Sequence, residues 1–268
     1  MIKLALLLAA IAATVGIGWP LVNSVVGGGG NEATRLVEAA DRTQNKAQSL
    51  SRSYNDVIPP QDSLFASPAN PEEEAADNSG TAEEEPTPTP TLTPSEHTVK
   101  EAMDFLNQVQ KELEPSDTEY LRAVNQLKAA WDPRYAEAVD EFRRFKRRVE
   151  YAREMSAEYV EIQGQLTANI SDPQVRERLR ETDALERQLI AEWIAQASGV
   201  LAQAEAIKVN LDDMNIQITK LELSATFASI YEGFNRMPLA LTALNDELAV
   251  FERETERIYQ TFGPKAGQ

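Results

Sequence analysis

The sequence predicts an all-α protein: an elongated antiparallel helical bundle or coiled coil, preceded by an N-terminal membrane helix and a disordered acidic Pro-rich linker. Three observations carry this expectation. Past residue 95, apolar side chains recur at alternating spacings of three and four, the cadence of one helix face. Glycine is sparse after residue 30, while Ala, Glu, Leu, Gln and Arg, which lose little on entering a helix, are plentiful. Residues 58–97 hold nine acids, eight of the chain's 14 prolines and no Lys or Arg, too polar a stretch to bury a core.

The N-terminal segment, residues 1–26, opens with a short positive region at Met1 and Lys3. Residues 4–26 are then free of charge for 23 positions, interrupted only by Pro20, Asn23 and Ser24. A spanning helix needs about 20 residues, and Trp19 suits an interface. An uncleaved anchor fits best. A cleaved export signal is the main alternative, although the small-residue triplet Ala10-Ile11-Ala12 comes early for a cleavage site. A helix buried in a soluble fold is the third reading. Lys3 on one side and Arg35, Arg42 and Lys46 on the other nearly balance the positive-inside count. The export-like start places the body on the extracytoplasmic side. Gly27–Gly30 reads as a hinge.

Residues 31–58 form one amphipathic helix, with Leu36, Ala40, Thr43, Ala47, Leu50, Tyr54 and Val57 on its seam. Pro59 and Pro60 stop it. Residues 59–94 are the linker. Its Pro-Thr repeat from 86 to 94 favours polyproline II, and its like charges extend it further.

The helical domain covers residues 95–262, with a tail at 263–268. Its first seam is Val99, Met103, Leu106 and Leu113; Pro115 interrupts, and Ser116–Glu119 is a capping box that restarts the helix. Tyr120, Val124, Leu127 and Trp131 follow. Asp132-Pro133 and Ser171-Asp172-Pro173 each read as a cap with proline at the first helical position. Between them run Tyr135, Val139, Phe142, Phe145, Val149, Ala152, Tyr159, Ile162, Leu166 and Ile170. A longer helix from 173 to about 234 carries Trp193, Val200, Ala204, Ile207, Leu211, Met214 and Ile218. Gly233, Asn235 and Pro238 mark the next turn, and Leu241 to Phe262 the last helix. The segments 95–131, 133–169 and 173–209 are 37 residues each. In that length and in up-down-up topology they resemble spectrin-like repeats. The two remaining helical stretches leave apolar stripes that a third helix must cover. Helix 31–58 or a second chain would serve.

A net charge of −17 disfavours nucleic acid as a partner. The absence of cysteine removes disulfides, thiolate catalysis and thiolate zinc sites. The lone His97 lies beside the proline-rich chain, far from any Ser–His–Asp pattern. No phosphate loop, dinucleotide glycine pattern or nucleophile elbow occurs. Asp212 and Asp213 are adjacent and so point apart on a helix. Neither a cofactor, a metal nor a small-molecule substrate is expected, and an enzyme is not expected.

The densest basic stretch is 141–154, where Arg143, Arg144, Lys146, Arg147 and Arg148 surround the apolar seam of Phe142, Phe145 and Val149. A charge run is usually a solvated face, here with Asp140–Arg144 and Lys146–Glu150 at pairing distance in sequence. The alternative is an acceptor for a polyanion, including the chain's own glutamate clusters. Residues 175–187 alternate in charge and read as exposed helix. The expected function is a membrane-anchored helical scaffold that presents a coiled-coil surface to a protein partner or a second copy. An exported helical chaperone or adaptor with a cleaved signal is the alternative.

Overall fold

The computed structural model describes residues 29–58, 98–109, 118–221 and 227–263. The anchor, linker and tail expectations lie largely outside these residues. Among the described residues the fold is all-helical, with five helices and no strand: α1 (Gly29–Val57), α2 (Val99–Val109), α3 (Thr118–Ala168), α4 (Pro173–Lys220) and α5 (Phe227–Phe262).

The chain forms two compact units. The first contains Met1–Ser49, Arg143–Ala204 and Leu244–Gln268. It is a four-helix bundle, and its side-chain contacts fix the topology. Arg35 meets Glu158 at 3.0 Å and Thr43 donates to the carbonyl of Arg148 at 3.4 Å, so α1 runs antiparallel to α3. Tyr259 donates to Asp41 and Gln48 to Glu252, both at 2.8 Å, so α1 also runs antiparallel to α5. Arg153 to Ser198 links α3 to α4, and Trp193 to Thr255 and Arg257 to Glu192 link α4 to α5. Short antiparallel connections give this arrangement naturally. Helix α1 therefore supplies the cover that the other helices need.

The seam residues fill this core. Leu36, Ala40, Ala47, Phe145, Val149, Ala152, Trp193, Val200, Leu244, Phe251 and Ile258 are all at most 1 % exposed. Trp193 stacks on Phe251, with ring centroids 6.2 Å apart. Its indole Nε1 donates to Thr255 Oγ1 at 3.1 Å, and that hydroxyl donates to the carbonyl of Phe251 at 2.9 Å. Thr43 likewise donates to Ala39 O at 2.7 Å. Both threonines hold seam positions and are fully buried, which the local bonds make tolerable.

The second unit contains Leu50–Phe142 and Glu205–Ala243. Helix α2 presents one apolar face, Val99, Ala102, Met103, Leu106 and Val109, all buried. A reciprocal cap opens it: the Thr98 N–H donates to Glu101 Oε2 at 2.8 Å, and the Glu101 N–H to Thr98 Oγ1 at 3.2 Å. Trp131 is fully buried, stacked on Tyr135 at 5.9 Å and edge-on to Phe234 at 5.6 Å. Gly233 lets α5 approach α4, since a Cβ there would lie 3.1 Å from Met214 Cγ.

Four expectations change. Helix α1 begins at Gly29, so the last two glycines of the expected hinge are helical. Helix α3 runs unbroken through Pro133, so the three equal segments and the spectrin-like unit dissolve. Helix α4 ends at Lys220 rather than near 234. Pro238 lies inside α5 instead of marking a turn. A helical proline leaves the carbonyl four residues back unbonded and pushes on the preceding turn. At Pro133 the neighbouring carbonyl, Ala130 O, takes a 2.6 Å bond from the Arg134 guanidinium. The carbonyl that Pro133 itself deprives of a helical donor is the adjacent one, Ala129 O. The cap at α4 is as expected, with Asp172 Oδ1 accepting from the N–H groups of Gln174 and Val175 at 2.8 and 3.2 Å.

Continuity at Pro133 has a measurable consequence. Pro133→Ala restores a helical N–H and should stabilise the chain by up to about 3 kcal/mol. Chemical denaturation followed by circular dichroism checks this; an unchanged or lowered midpoint would mean that Pro133 begins a separate helix.

Candidate functional site

The basic stretch sits on α3 in the first unit. Phe145 and Val149 turn inward and are fully buried. Arg143, Arg144, Lys146 and Arg147 are exposed and Arg148 is half-buried. Arg143, Lys146 and Arg147 are spaced by three and four, so they share one outward face. Arg144 takes part in an interaction of its own. The cations radiate from one helix rather than converging on a point. Such a stripe can attract an extended polyanion.

The polar residues that are brought together lie elsewhere. In the second unit, Tyr135 donates to Asp212 Oδ1 at 2.8 Å, and Lys208 Nζ meets Asp212 Oδ2 at 2.6 Å. Trp131 Nε1 donates to Asn215 Oδ1 at 3.0 Å. Burial, and then the charge of Asp212, push the Tyr54 hydroxyl well above the usual phenol range. Asp212 is thus neutralised by Lys208 and held by a phenol, while Asp213 is exposed. The cluster locks α3 against α4 in one register, and nothing in it is poised as a nucleophile or base.

An open cavity of about 730 Å³ lies in the same unit, between the end of α1, the start of α2 and the Pro133 turn of α3. Asp56 and Glu137 on its wall balance Lys100 and Arg134. That even lining creates no field selective for either sign of ligand. Among the described residues no cluster of His, Asp or Glu could hold a metal ion.

In the first unit, Tyr159 of α3 donates to Glu186 Oε2 of α4 at 2.8 Å. Glu186 is only 8 % exposed, which corrects the expectation that residues 175–187 form a wholly exposed run. Desolvation pushes its carboxyl up to about 7, the Tyr159 bond pulls the other way, and Asp183 adds to the rise. Burial first, and then Glu186, drive the Tyr159 hydroxyl far above its ordinary value. The edge of the Phe262 ring closes over Tyr159, with centroids 5.3 Å apart. The signal was present in the sequence: Leu179, Thr182, Glu186, Leu189 and Trp193 follow the three-four spacing, and Glu186 occupies a seam position.

No family model matches the chain, and neither curated proteins nor solved structures yield a match to it.

The Glu186 carboxyl makes stability depend on pH. Below about pH 4.5 it is protonated in folded and unfolded chains alike and contributes nothing. As pH rises towards 7 the unfolded chain ionises first, so stability falls; above 7 the penalty is complete. Glu186→Gln keeps an acceptor for Tyr159 and removes the charge. It should match the wild type near pH 4 and exceed it at pH 8 by on the order of 3 kcal/mol. Urea titrations at the two pH values measure this; an equal difference at both would rule out the buried acid.

Proposed function

We propose that the protein is a non-enzymatic, membrane-anchored helical scaffold. The observation that carries this is the uncharged run from 4 to 26, joined to a helix that is itself part of a bundle. Among the described residues no helix is long and apolar enough to cross a membrane. The anchor role therefore falls to residues 4–26, whose 23 positions exceed the length needed. With α1 tied into the first unit through Asp41, Gln48 and Arg35, the body follows the anchor closely.

The scaffold role rests on where the polar and apolar groups lie. Inside both units the seams are filled by aromatic and aliphatic side chains, and the buried indole groups find acceptors. Each unit leaves its own surface for a partner: in the first the basic stripe at Arg143, Lys146 and Arg147, and in the second the exposed aliphatics Val209 and Ile216 of α4. An acidic protein segment or an anionic envelope polymer would complement the stripe. The extracytoplasmic side remains the proposed location of the body.

The exported chaperone or adaptor is the second reading, favoured by Val209 and Ile216, 53 % and 51 % exposed and seven residues apart on one helix face. Fractionation separates the two. Intact chain retained in carbonate-washed membranes supports the anchor. A soluble form shorter by about 25 residues contradicts it and supports a cleaved signal.

A further inference from the structure

In the first unit five side chains, drawn from all four helices, mark one level of the bundle. Arg35 of α1 is 3.0 Å from Glu158 of α3. The adjoining Tyr159 bonds Glu186 of α4 at 2.8 Å and meets Phe262, the last helical residue of α5, at 5.3 Å. Beyond that level α5 has ended. On α4, Glu186 is the first buried residue of the helix, and beyond Tyr159 only Thr167 of α3 is buried. The tip of the α3–α4 hairpin thus projects past the four-helix core.

The start of α1 points the same way. From Arg35 back to Gly29 is six residues, about 9 Å of helix. From Glu158 to Ala168, the end of α3, is ten residues, about 15 Å. Val26, the last residue of the uncharged run, is three residues before Gly29 and so within about 10 Å of it. Gly29, where α1 begins, and Ala168, where α3 ends, are therefore within roughly one helical turn of each other along the bundle.

We infer that the tip of the α3–α4 hairpin, around Asn169–Val175, rests on the lipid surface beside the anchor. The inference builds on the assignment of residues 4–26 as a span, and it adds a second contact that the anchor alone does not require. The composition of the tip suits an interface. Asn169, Ser171 and Gln174 are small or neutral polar groups, and the Asp172 carboxylate is occupied with the α4 cap. Val175 is 43 % exposed and Ile170 half-buried, so two aliphatic side chains are available to the headgroup layer. Residues 160–185 carry five acids and three arginines, so attraction to anionic lipid does not hold the tip in place. The tether does, by keeping the effective concentration of bilayer high.

The cysteine-free chain makes the test direct. Ser171→Cys, at the tip, and Ala195→Cys, about 33 Å along α4, each carry an environment-sensitive fluorophore in the full chain reconstituted into phosphatidylcholine vesicles. The label at 171 should be blue-shifted, quenched several-fold more by a lipid-borne nitroxide than the label at 195, and shielded from aqueous iodide. The contrast should survive high salt. If the protein floats with the vesicles but both labels respond equally to iodide, the tip is in water and the inference fails while the anchor stands. Protection of position 171 from both quenchers assigns the tip to a protein contact and overturns the inference. A chain that does not float removes the anchor and this contact together.

Discussion

The constraint on which the first unit depends is that four narrow apolar seams have no other surface to bury against. Each seam is two or three side chains wide, too little to fold an isolated helix. Packed together, they enclose Trp193 against Phe251, with the indole nitrogen satisfied by Thr255. A tryptophan at that position serves twice. Its ring fills the space between α4 and α5, and its N–H fixes their register, because an unpaired donor there would be costly. The second unit uses the same device with Trp131, whose N–H is taken by Asn215 of α4 and whose ring meets Phe234 of α5. These two buried polar pairs therefore act as register marks within their cores.

This arrangement determines which surfaces are free to work. Once the seams face inward, the groups presented outward include the basic stripe of α3, exposed aliphatics of α4 and α5 such as Val209, Ile216 and Leu239, and the hairpin tip. Peripheral ion pairs such as Arg257 with Glu192 and Glu254 are half-buried and still partly screened by solvent, so each adds only modest stability. They do shape the local field: the side-chain amide of Gln188 and the Arg257 guanidinium hold the Glu192 carboxyl below its ordinary value. Glu186 differs because, among the described residues, its bond is to a phenol. It sits where the four-helix core gives way to a projecting hairpin, and its protonation is coupled to how firmly that core is closed.

Much of the helical pattern was legible in the sequence. The seams of α1, α2 and α5, the cap at Asp172, and the burial of Trp131 and Trp193 all follow from spacing and residue type. The errors have a common physical source. Asp132-Pro133 and Ser171-Asp172-Pro173 look alike locally, yet only the second starts a helix. At Pro173 the Asp172 carboxylate caps the first N–H groups of a new helix, whereas α3 continues through Pro133 with Trp131 and Ala138 buried on either side of it, a tertiary outcome that local spacing does not encode. Pro238 misled in the same manner, and with it the boundary between α4 and α5. Glu186 was overlooked because glutamate usually marks solvent, although its place on the α4 seam was visible. The basic stripe was legible as exposed charge, since Phe145 and Val149 show which side of α3 is inward.

The central claim is that α1 closes the first unit within its own chain, although 59–97 separates it from α2 in sequence. The most direct test uses Gln48→Cys with Glu252→Cys, replacing two side chains that are hydrogen-bonded at 2.8 Å, and a short bis-maleimide. The account predicts efficient cross-linking that leaves the chain at monomer mass, independent of protein concentration. Cross-linked dimers that increase with concentration, or no cross-link at all, would show that another chain fills the place given to α1.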